Sequence, residues 1–100
     1  MKSKKDSQKI RETQELAWLG DAVLGLYARM VILEKKSDAF EKYTEKFQKI
    51  TSNDFLLRLG QPTEVEAKIG KIYKEDGIDK ACDWLDKHLL PFVQKEYGKK

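Results

Sequence analysis

Cysteine is almost absent from this 100-residue chain: Cys82 stands alone, so no intramolecular disulfide can form and a structural zinc site has too few thiols. That usage suits a reducing compartment, and a cytoplasmic location is the expectation. Histidine is as scarce, with His88 lacking a His or Cys at ligand spacing, and the chain has no Ser-His-Asp arrangement, Rossmann fingerprint or glycine-rich phosphate loop. Two prolines, six glycines and no stretch of strict apolar/polar alternation, beside abundant Lys, Glu and Leu, predict an all-α fold. An excess of one charge is also missing. With 20 basic and 17 acidic residues the net charge is +3, too weak a field to identify a nucleic-acid partner without a local patch.

One long apolar run is present, the eighteen residues 16–33, whose only other members are Gly20, Asp21, Gly25 and Arg29. A membrane span would strand two charges in lipid, so a buried core helix is expected instead, with no membrane partner. Asp21 is then the anomaly. Burying an unpaired carboxylate costs several kcal/mol against a total stability of about 5–15 kcal/mol, so the residue should have a cation or a chemical task. Gly20 and Gly25, with Ala17, Ala22 and Ala28, would let another helix backbone approach closely, a self-associating copy being one solution.

Residues 1–9 are polar and basic, with neither the apolar segment nor the cleavage site of a secretion signal, and are expected to be a disordered tail. Lys2, Lys4, Lys5, Lys9 and Arg11 make a candidate nucleic-acid patch there, against the plainer reading of a solvated, frayed end. Residues 10–97 should form one domain, since 40% hydrophobic residues suffice for a single core. Its central helix should run from about Ile10 to Glu34 or Lys35, buried on most sides. Ser37-Asp38 starts an amphipathic helix with Phe40, Tyr43, Phe47 and Ile50 on one side, and Thr51-Ser52-Asn53-Asp54 caps a short helix through Phe55, Leu56, Leu57 and Leu59 that Gly60 stops. Thr63 opens a further helix with Val65, Ile69, Ile72 and Tyr73 inward and Gly77 as its stop. A last helix from Asp79 carries Ala81, Trp84 and Leu85, and Pro91 decides between five helices and six.

Asp21 and Glu66 are the candidate site residues, each flanked by small or apolar neighbours. Two carboxylates brought together from separate helices repel, and a divalent cation such as Mg2+ holds them, with water and a phosphate completing its shell. Plainer roles compete. Thr63-x-x-Glu66 has the form of a capping box, and Asp21 could pair with Arg29, Arg11 or Lys68. Asp79, Asp83 and Asp86 alternate with lysines in the manner of a solvated face.

Residues 15–24, Glu-Leu-Ala-Trp-Leu-Gly-Asp-Ala-Val-Leu, resemble the signature helix of the ribonuclease III catalytic domain, and residues 63–73, Thr-Glu-Val-Glu-Ala-Lys-Ile-Gly-Lys-Ile-Tyr, are similar to its second acidic helix. The resemblance implies a homodimeric bundle of five to six helices, joined through the signature helix, that hydrolyses double-stranded RNA with Mg2+ or, in substitution, Mn2+. It implies that Asp21 and Glu66 are the catalytic metal ligands. Three further acidic positions of the family are Gln14, Ala17 and Thr63 here, which leaves a reduced acidic site. In this form the sequence looks most like the Mini-III branch, which lacks a double-stranded-RNA-binding domain and acts on structured precursors such as ribosomal RNA. The rival expectations are a degenerate ribonuclease III-like module that only binds RNA, and a helical protein-interaction domain.

Overall fold

The computed structural model describes residues 4–34 and 40–97, and over them the chain forms helices with no strand. These are α1 (Lys4–Glu34), α2 (Phe40–Ile50), α3 (Asn53–Leu56), α4 (Pro62–Asp76), α5 (Ile78–His88) and α6 (Leu90–Tyr97). The all-α expectation holds, and the bundle has its sixth helix. Leu89 closes α5 through its N–H to the Leu85 carbonyl, and Pro91, which has no N–H to donate, sits harmlessly in the first turn of α6.

Helix α1 begins at Lys4, so residues 4–9, expected as a disordered tail, are its opening turns. No glycine or proline interrupts that stretch, so the helix of the apolar run extends back to Lys4. Residues 1–3 and the helix start anticipated at Ser37-Asp38 lie outside the described residues. At 31 residues α1 is about 46 Å long. It makes the molecule 53 × 26 × 21 Å, with a radius of gyration of 14.9 Å. A compact chain of this length would have about 13 Å.

The short elements are set by local chemistry. Ser52 Oγ accepts the Phe55 N–H at 3.2 Å and caps α3. Gly77 adopts φ +95°, a conformation that L side chains rarely reach, while its N–H closes α4 on the Tyr73 carbonyl. The chain therefore turns into α5 without a loop.

The core lies along one side of α1. Leu24, Tyr27 and Ala28, at helical spacing, meet Phe55 and Leu56 of α3, Ile69 of α4 and Leu85 of α5, all buried. The buried Tyr27 hydroxyl donates to Asp86 Oδ1 at 2.6 Å, tying α1 to α5. Arg29 lies over the Phe47 ring, 4.2 Å from its centroid, and fixes α2.

The other side of α1 departs from expectation. Trp18 is 78% exposed, and Leu26, Met30 and Leu33 are about half exposed. The shorter helices cover one side of a helix this long, and an apolar stripe faces solvent. Residues 8–34 are long and apolar enough to cross a membrane by length and composition, yet 44% of the most apolar stretch is packed inside the fold, as in a core helix. Tyr73, expected inward, is 40% exposed.

Candidate functional site

The most extensive helix contact in the molecule is between α1 and α4, and it brings Asp21 and Glu66 together. Asp21 is exposed, and no charged side chain is buried among the described residues, which corrects the expectation of a carboxylate inside the apolar run. Sequence neighbours surround Asp21 with apolar residues, but the helix turns it to the edge of the groove beside α4. The cost at this site is therefore electrostatic. Glu66 is half-buried, and loss of solvent, followed by the charge of Asp21 and a hydrogen bond to it, pushes its carboxyl up to about 7. Near neutral pH the Glu66 carboxyl is therefore only partly ionised.

Neither plainer role is realised. The cap of α4 is Gln61, whose Oε1 accepts the Glu64 N–H at 2.8 Å, with Pro62 as the first helical residue. Thr63 is already inside the helix, so Glu66 has no capping box to complete. Among the described residues no cation pairs with Asp21. Arg29 donates to the Gly25 carbonyl at 3.3 Å and stacks on Phe47, while Arg11 and Lys68 point to solvent.

Beyond the carboxyl pair an open cleft of about 690 Å³ separates the start of α1 from the start of α4. Gln14 and Thr63, two positions at which the sequence resemblance implies acids, line it together, with Lys9, Thr13 and Gln61. Ala17, the third such position, is buried and its methyl group offers no ligand. Of the basic candidates, Lys9 reaches this cleft and Arg11 is not among its lining residues; Lys4 and Lys5 occupy the first turn of α1, and Lys2 lies outside the described residues. His88 stacks on Trp84, with ring centroids 4.4 Å apart, away from the carboxyl pair. Burial and the nearby Asp86, Asp79 and Asp83 hold the Cys82 thiol above its usual range, which makes it an unreactive residue.

The sequence from residue 14 to residue 96 matches the family described as Ribonuclease III domain. The chain belongs to the ribonuclease III domain family. No curated protein and no solved structure matches it. The family acts as endoribonucleases on double-stranded RNA and is generally dependent on a divalent metal. The donor set in this ribonuclease III domain fits such an ion: two hard oxygen ligands from separate helices, open to solvent, with no cation paired to them among the described residues. Among the described residues no group of three or more His, Cys, Asp or Glu side chains converges, so the fit is to one cation completed by water and substrate oxygens.

What the motifs did not disclose is the partner of Gly20. It packs against Glu66 and Gly70 of α4 within the same chain. An interior glycine one residue before the first acid and another four after the second were the signal available.

Proposed function

We propose that this ribonuclease III domain is a metal-dependent endonuclease that cuts double-stranded RNA as a homodimer, using Asp21 and Glu66 as the ligands of a catalytic Mg2+. The observation that carries the reading is the meeting of these two carboxyls from α1 and α4 with no cation paired to them among the described residues. A divalent ion held there supplies an activated water and charge stabilisation at the leaving oxygen. The protein's own part is geometric. Asp21 and Glu66 would hold the ion, Glu66 would give up its proton when it is bound, and the cleft lined by Lys9, Gln14 and Thr63 would accept the adjoining sugar-phosphate chain. Affinity gained from such phosphate contacts falls steeply with salt.

The exposed stripe of Trp18, Leu26, Met30 and Leu33 supports the homodimer, because a contiguous apolar face of this kind is an association surface. Met30→Glu is expected to yield a monomer in sedimentation. Ala17 and Thr63 in place of acids support the Mini-III form, and with it a structured precursor such as ribosomal RNA and a cytoplasmic setting.

The same two positions favour a second reading, an RNA-binding module without catalysis. End-labelled perfect duplex and single-stranded control, incubated with Mg2+ and then Mn2+, separate the two. Duplex-selective cleavage lost in Asp21→Asn and in Glu66→Gln is the expected result. Duplex retained on the protein but never cut, in either metal, would install the binding module instead.

A further inference from the structure

At the crossing of α1 and α4 the contact is made by backbone. A Cβ added to Gly20 would overlap the Glu66 carbonyl oxygen and lie 2.7 Å from its carbon; one added to Gly70 would overlap the Leu16 carbonyl oxygen and lie 2.9 Å from its carbon. Each added Cβ would also stand 3.0 Å from the backbone nitrogen of the other glycine. The arrangement is reciprocal: Leu16 and Gly20 are one turn apart on α1, Glu66 and Gly70 one turn apart on α4, and each glycine faces the other helix's carbonyl. Neither backbone can yield as a flexible side chain would. Gly25, also on α1, differs. Its added Cβ would meet the end of the Arg29 side chain at 3.2 Å and the Phe47 ring at 3.7 Å, which can shift.

Both site carboxyls hang from this contact, since Asp21 follows Gly20 and Glu66 is the residue whose carbonyl Gly20 touches. We infer that Gly20 and Gly70 are positioning residues that set the span between the Asp21 and Glu66 carboxyls and thereby the size of cation the site accepts. The inference rests on the two carboxylates being metal ligands. A methyl group at either glycine forces the helix axes apart, and the short Asp21 side chain has little reach with which to follow. Mg2+ requires ligands at about 2.0–2.1 Å in near-octahedral geometry, whereas Ca2+ accepts about 2.3–2.6 Å and irregular shells. A widened pair therefore loses Mg2+ first.

The test is calorimetric titration of the whole chain with Mg2+ and, separately, Ca2+, with folding checked by circular dichroism. Gly20→Ala and Gly70→Ala should weaken Mg2+ by roughly ten-fold or more, as removal of a group that orients ligands does, while Ca2+ weakens distinctly less. Gly25→Ala should leave both affinities at the wild-type value. Adding Asp21→Glu to Gly20→Ala, one methylene more of reach, should restore part of the Mg2+ affinity, a rescue that a merely destabilised fold would not show. Parallel loss of both ions, or no loss, in the folded alanine variants overturns the inference. Should those variants fail to fold, Glu66→Asp retracts one carboxyl without touching the crossing, and must itself lose Mg2+ more than Ca2+; equal effects there overturn it as well. A wild-type chain that binds neither ion would instead refute the metal reading on which the inference stands.

Discussion

The two halves of α1 are packed by opposite means. From Leu24 to Ile32 the helix contributes large side chains to a core with Phe55, Ile69 and Leu85, and those contacts hold the bundle. Around Gly20 it contributes almost no side chain, and α4 comes in until backbone meets backbone. Close packing of side chains stabilises through buried area and tolerates small adjustments. Backbone contact leaves nothing to adjust, and so it places attached groups reproducibly. The fold is held along the C-terminal part of the helix, and the candidate site lies at its middle.

The largest expected effect tests the core end. Leu85→Ala, at a fully buried position, should cost about 2–5 kcal/mol in denaturant unfolding while leaving the Mg2+ affinity of the folded fraction unchanged. If metal binding fell with it, the two regions would not be separable. Tyr27→Phe is the milder version. It removes the bond to the exposed Asp86, and the stability should drop by about 1 kcal/mol with no change in cation binding.

The smallest effect sharpens the comparison from the site end. Glu66 has a folded-state pKa raised to about 7 from an ordinary value of 4.5, so the folded chain binds more protons than the unfolded chain between those limits. Stability linked to this group is full below about pH 4.5 and is lost as the pH rises through 7. Without added metal, Glu66→Gln should remove this decline and be the more stable protein at pH 8, by about 1 kcal/mol once solvent screening of a half-exposed group is counted. A wild-type chain whose melting temperature shares the variant's pH profile would show that the pair is not strained.

Much of this was legible in the sequence, and the residues that were not are instructive. Helix type, the Gly77 stop and the core members Leu24, Val65 and Leu85 follow from periodicity and capping chemistry, which are local, whereas the short helix ends at Leu56, before the Gly60 expected to stop it. Asp21 and Glu66 were found through motif context, and the structure brings them together. Exposure was not legible. Asp21 in an apolar run reads as buried, and Trp18 and Leu26 read as core, because sequence does not say that five shorter helices cover only one side of α1. The capping-box reading of Thr63 failed for a local reason, since Gln61 and Pro62 start α4 earlier. The partner of Gly20 depends on how α1 and α4 cross, and no local pattern encodes that.

Joint binding of a divalent cation by Asp21 and Glu66 is open to direct measurement. Titration of the wild-type chain with Mn2+ at pH 6.5, in two buffers of different ionisation enthalpy, measures stoichiometry, affinity and proton release at once. One ion per chain, release of a proton as Glu66 ionises, and loss of binding in both Asp21→Asn and Glu66→Gln are the expected results. Binding that survives in both variants, or no binding to the wild-type chain, would contradict joint binding by the pair.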